Sequence, residues 1–158
     1  MRNVFYWFGI FAGSVVIAAV VGFGYLAYKG SSLDKESKSY ANGAVLAITS
    51  HWDAHALTSR ASPNLTRSIN ADQLSSMFDW FNVLGPLIES QDCTGGSSIA
   101  AFAGKPTSIT ARYTCNEKYQ QGAATINVAL VKIDNVWTVN GFHVSSPVLL
   151  AHKPPQKS

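Results

Sequence analysis

The run Val4 to Tyr28, VFYWFGIFAGSVVIAAVVGFGYLAY, holds no charged residue and has Ser14 as its only clearly polar side chain. At ~1.5 Å of rise per residue, a helix of this length exceeds the ~30 Å of bilayer hydrocarbon, so the run predicts a transmembrane helix with some tilt. Phe5, Tyr6 and Trp7 at one end and Tyr25 and Tyr28 at the other would place amphipathic rings at the headgroups, with Arg2 and Lys29 just outside. A cleaved signal peptide is the competing reading, but its apolar core is usually only ~7–15 residues long, and Gly22-Phe23-Gly24 is a poor cleavage site. The expected organisation is a tail at 1–3, a span at 4–28, a linker at 29–32, one soluble domain at 33–146 and a disordered tail at 147–158.

Within the run, Gly9 and Gly13 form a GxxxG, and Ser14, Ala18 and Gly22 make a second row of small residues at the same spacing. Such rows let two helices approach closely, and they predict self-association or docking to another membrane helix, although small residues are also common in membrane spans. The lipid bilayer, a second copy of the chain and another envelope protein are therefore the expected partners.

The 128 residues left after the first 30 of 158 suit one domain. Of the 12 Lys and Arg, Arg2 and Lys29 flank the run, leaving 10 against 9 Asp and Glu. A near-neutral domain without a concentrated basic stretch does not fit a nucleic-acid binder.

The chain has 2 cysteines, Cys93 and Cys115, whose midpoint is Gly104, inside the turn sequence Ala103-Gly104-Lys105-Pro106. On neighbouring antiparallel strands joined there, the two would face each other, which suits a disulfide, while two buried free thiols in a reducing compartment is the other reading. No His/Cys spacing of a zinc site accompanies them, and neither a metal nor a cofactor is expected. Lys29, Lys35 and Lys38 outnumber Arg2, which by charge alone favours a cytoplasmic domain. Long domains translocate largely regardless of charge, and the cysteines favour the oxidising side, which in a Gram-negative bacterium is the periplasm.

After the run, Ser31 is placed to cap a helix on which Leu33, Ser37, Tyr40, Ala41, Ala44, Ile48 and Trp52 recur at helical spacing, with Gly43 marking close packing or a bend. His51-Trp52-Asp53-Ala54-His55 carries two histidines at i, i+4 around a carboxylate, but no third metal ligand lies at a usable spacing. The cluster reads better as Asp53 capping a helix Ala54–Ser59 while Trp52 plugs the core. Ser62-Pro63 opens a short amphipathic turn, and Asn70 with Gln73 opens a helix Ala71–Leu84 whose apolar face is Leu74, Met77, Phe78, Phe81 and Leu84, widened by Trp80 and Val83. An exposed Trp80 would be a partner contact.

From Leu87 the period becomes two. Leu87–Ile99, Thr107–Lys118, Ala123–Ile133 and Val136–Ser145 read as strands, with Ile109, Ala111, Tyr113 and Cys115 on one face and Ile126, Val128 and Leu130 on another. A bulge at Asn140-Gly141 is needed to keep Trp137, Val139, Phe142 and Val144 on one side. The expected fold is α+β, about three helices packed on a four-stranded antiparallel sheet after one transmembrane helix.

Trp137, Val139 and Phe142 at the end of such a sheet resemble the closing strand of the cystatin-like and nuclear-transport-factor-like superfamily, in which a sheet wraps a helix into a cone. The stretch from Leu33 to Ser146-Pro147, with Trp52-Asp53, Ala61-Ser62-Pro63, Leu84-Gly85-Pro86, Cys93 and Gly141-Phe142-His143-Val144, is similar to small uncharacterised bacterial proteins with one amino-terminal span. The resemblance implies either an anchored, non-enzymatic scaffold domain or a ligand-binding or proton-transfer enzyme working inside the cone. For the second, Tyr113, Asp92, Glu89 and His143 are the candidate pocket residues. A pilin-like subunit is a further alternative that lacks the acidic residue expected in the apolar run.

Overall fold

The computed structural model describes residues 30–101, 103–104 and 106–152. The expected span at 4–28, with its small-residue rows at Gly9, Gly13, Ser14, Ala18 and Gly22, lies outside them. Among the described residues no helix is long and apolar enough to cross a membrane, and the expected fold class is corrected on that point. Backbone contacts divide the chain into Met1–Leu33 and Asp34–Ser158.

Residues 30–49 form helix α1, which takes in Gly30, Ser31 and Ser32, so Ser31 is not its cap. Three short helices follow: α2 (Ala54–Thr58), α3 (Pro63–Ser68) and α4 (Ala71–Phe81), the last running into a 3-10 turn at Asn82–Leu84. Their starts are where the sequence placed them. Asp53 accepts from the His55 amide, Ser62 from that of Leu65, and Asn70 from those of Asp72 and Gln73.

Strands β1 (Leu87–Ser90), β2 (Thr94–Ala100), β3 (Ser108–Tyr119), β4 (Gly122–Ile133) and β5 (Val136–Ser145) make one antiparallel sheet, and α5 (Pro147–Ala151) closes the described chain. The sheet has five strands, not four, because the expected strand Leu87–Ile99 is broken. Leu87 pairs with Tyr119, Ser90 with Glu117 and Thr94 with Thr114, so the register slips at Ile88 and again across Gln91–Cys93. Both pieces pair with β3, and the slip separates them.

The expected bulge is present. Ala129 pairs with Gly141 and Leu130 with Val139, leaving Asn140 as the extra residue, so Phe142 and Val144 oppose Val128 and Ile126 on the same side as Trp137 and Val139. Asn140 Oδ1 accepts from the buried Ser62 hydroxyl at 2.7 Å, and the chain at Ala61 bridges to Val139. Pro147–Ala151, placed in the tail by the sequence, are helical because Ser146 caps them and Pro147 occupies the first turn, with Leu149 buried.

The core lies between α1 and one face of the sheet. Ser37, Ala41, Ala44, Val45, Ile48 and Thr49 are buried on the helix, facing Ala111, Tyr113, Cys115, Ile126, Val128, Leu130 and Val139. Two alanines on the stripe keep the helix close to the strands. Polar ties then fix its position: Asp34 Oδ1 accepts from the Ser97 amide at 2.6 Å, Lys132 Nζ meets Glu36 at 2.8 Å, and Tyr113 Oη is 2.8 Å from Ser37 Oγ. The Ser97 hydroxyl and amide hold the Asp34 carboxyl below its usual range.

Gly43 does not mark close packing, because among the described residues a Cβ built there meets no atom within 4 Å beyond its chain neighbours and its own helix backbone. Gly43→Ala is therefore expected to stabilise the fold by about 1 kcal/mol, since alanine restricts the unfolded chain and suits a helix interior. Thermal unfolding checks it, and a lower Tm would reveal a contact at that position.

Candidate functional site

Continuing the alternation of β3 past Tyr113 and Cys115 carries it to Glu117 and Tyr119, and both are buried on the helix side, Glu117 at 2% and Tyr119 at 1% exposure. Glu117 Oε1 lies 2.8 Å from Thr49 Oγ1 of α1 and 3.4 Å from Ser90 Oγ of β1, and the Tyr119 hydroxyl donates to Oε2. Burial pushes the Glu117 carboxyl up from its ordinary value, against the opposing effect of the three hydroxyls. The Tyr119 phenol is pushed up as well, first by burial and then by Glu117. Trp52 covers the pair, its ring stacked on Tyr119 at 5.4 Å and packed on Phe81 at 4.8 Å and Phe78 at 6.3 Å.

A recess of about 420 Å³ reaches Glu117 and Tyr119 from the end of the sheet where β3 turns into β4. Glu89, Gln91, Asn116, Lys118 and Gln121 are among the residues lining it, but the surface they turn into the recess is mostly apolar.

The expected pocket residues are not brought together. Tyr113 points to the core, where its hydroxyl contacts Ser37 and donates to the Asp34 carbonyl at 3.1 Å. Asp92 is on the exposed link between β1 and β2, bonded by Asn42 and 3.6 Å from Lys38. His143 pairs in register with Asn127 on the other side of the sheet. Only Glu89 lines the recess.

Cys93 and Cys115 form a disulfide, and extending the pairing of Thr94 with Thr114 by one residue sets them face to face as expected. Trp80 is half-buried rather than exposed, packed on Phe81 with its indole nitrogen buried. His51 and His55 are exposed on either side of Trp52, and among the described residues no group of three His, Cys, Asp or Glu side chains is placed to hold a metal ion.

The opposite sheet face carries no helix among the described elements. Register aligns three rungs across four strands: Ser98, Thr110, Val131 and Thr138; Gly96, Arg112, Ala129 and Gly141; Thr94, Thr114, Asn127 and His143. The middle rung is a floor of small residues between two rows that are mostly hydroxyl and amide. Arg112 stands on that floor, exposed, and its guanidinium has no ion pair or hydrogen bond among the described residues. No carboxylate occupies an outer position of β2 to β5, whereas Lys118 adds a second cation. Sequence reasoning missed Arg112, since a lone cation at an outward strand position reads as an ordinary solvated residue until register places glycine and alanine beside it.

What the described residues define is a disulfide-bonded α+β domain with a filled interior and one sheet face that no described helix covers. No family model, curated protein or solved structure matches the chain.

Proposed function

We propose that the chain is a non-enzymatic binding domain of an oxidising compartment such as the bacterial periplasm, and that its bare sheet face receives an acidic segment of another envelope protein. The observation carrying this reading is Arg112, a guanidinium without a partner among the described residues, beside Gly96, Ala129 and Gly141. Arginine on a flat, accessible floor offers a planar fork to a carboxylate and is among the residues that most often dominate interfaces. Face-to-face pairing with a second copy is disfavoured, because no outer position of β2 to β5 offers a carboxylate to Arg112, and the outer carboxylate of β1, Glu89, already stands opposite Lys118. The disulfide supports the compartment.

A proton-transfer enzyme is less well supported, since the interior where it would work is occupied by Tyr113, Cys115, Ile126, Val128 and Leu130, each at most 2% exposed. The recess beside Glu89 and Lys118 is large enough for a small ligand and is the second reading. Photocrosslinking from Thr114 in the native cell discriminates the two. The expected result is a protein adduct that Arg112→Glu weakens roughly tenfold or more in affinity. Adducts unchanged in Arg112→Glu, or adducts consisting of the chain itself, would overturn the proposal.

A further inference from the structure

Thr49 has one hydroxyl proton and two acceptors in reach, the Val45 carbonyl at 2.9 Å and Glu117 Oε1 at 2.8 Å. A carboxylate would leave one of these contacts without a proton. A neutral acid completes both: Glu117 Oε1 donates to Thr49 Oγ1, Thr49 donates to Val45, and Tyr119 still donates to Oε2. We propose that Glu117 is a carboxylic-acid latch that holds the carboxyl end of α1 to β3 through its own proton, and that losing this proton loosens that end of the helix from the sheet.

Among the described residues no cation reaches the carboxyl to favour its charged form. The groups that reach it are Thr49 from α1, Ser90 from β1 and Tyr119 on its own strand, and Ala124 stands opposite on β4. Glu89 and Lys118 pair on the outer side of the sheet, and exposed His51 at the end of α1 is turned to Ser50 at 3.1 Å. Trp52, with Phe78 and Phe81 behind it, roofs Tyr119 without supplying charge. Burial raises the proton affinity of Glu117 in the same direction as the hydrogen-bond count.

The linkage follows in sign. The folded chain holds the Glu117 proton more tightly than the unfolded chain, so this contribution is complete below the ordinary carboxyl value of ~4.3 and is lost as pH rises through the elevated folded value. Between those limits the unfolding constant of the native sequence should rise relative to Glu117→Gln by up to about tenfold per pH unit, the slope of one proton.

The chain has three glutamates, Glu36, Glu89 and Glu117, so carboxyl carbon NMR of the full chain labelled in glutamate resolves the question without a variant. Support is one resonance that keeps its acid form above the ordinary carboxyl range of ~4.3, with its later ionisation accompanied by faster amide exchange at Thr49 to Asp53 than hydroxide catalysis accounts for. Three resonances titrating together would overturn the latch. So would ionisation of the one that keeps its acid form with unchanged exchange at Thr49 to Asp53.

Discussion

Trp52→Ala should lower the stability of the domain by about 4 kcal/mol, the middle of the range for removing a buried aromatic side chain, and the Tm by on the order of 15 °C. Trp52 is 6% exposed and touches Phe78, Phe81 and Tyr119, so its loss opens a cavity that three rings cannot refill. The position itself works against tryptophan. The Asp53 amide bonds back to the Ile48 carbonyl at 2.9 Å, which closes α1 in a Schellman turn, and Trp52 takes the left-handed place in it at φ +49°.

A side chain there costs roughly 1 kcal/mol that glycine would not. The packing of the indole must therefore exceed that strain, and the excess identifies Trp52 as the residue around which this end of the core is arranged. A control separates the two effects. In an ordinary helix or strand alanine is more stable than glycine, but here Trp52→Gly should be no worse than Trp52→Ala. Urea unfolding of both variants measures the difference, and a loss below about 1 kcal/mol in Trp52→Ala would show that the rings are not packed as described.

That the core plug and its capping aspartate were readable while the buried acid was not has a physical cause. Trp52-Asp53 carries two local signals, an aromatic at the end of a helical stripe and a good cap, and both survive in the fold. Glu117 carries the opposite signal. A charged residue reads as solvated, so the inward alternation of β3 is legible only to Cys115, although two more steps reach Glu117 and Tyr119. What makes the burial tolerable is three hydroxyls from α1, β1 and β3, and their meeting depends on tertiary structure.

The bulge at Asn140 was legible because four apolar residues had to share a face. The break between β1 and β2 was not, since Gly95-Gly96 and Ser97-Ser98 give no period. The start of α5 repeats the Ser-Pro signature that had correctly opened α3 at Ser62-Pro63, and the stop function of Pro147 obscured it. The floor around Arg112 is a property of register, which pairs residues distant in sequence.

Replacing both cysteines, Cys93→Ala with Cys115→Ala, should cost about 3 kcal/mol, because the bond closes a loop of 22 residues' separation and removes the corresponding freedom from the unfolded chain. The cost should fall unevenly. Cys93 sits at the second register slip, and its amide donates to Asn42 of α1 at 2.9 Å while Asn42 also donates to Asp92. Without the bond, the link between β1 and β2 is held by these contacts, by the Lys38–Asp92 ion pair and by the Gln91 amide on the Asn116 carbonyl. The long pairing of β3 with β4 and of β4 with β5 does not pass through it. Amide exchange should therefore quicken across Gln91 to Gly96 and at Ser90 well before it does in β4. Ser90 is one of the hydroxyls reaching Glu117, so fraying at this edge should also admit water to the acid and lower its proton affinity towards the ordinary carboxyl range. Both cysteines are at most 1% exposed, so reductant should act only on molecules opened at this edge. Unfolding of the double variant with a loss below about 1 kcal/mol, or with exchange quickened equally in all five strands, would sink this account.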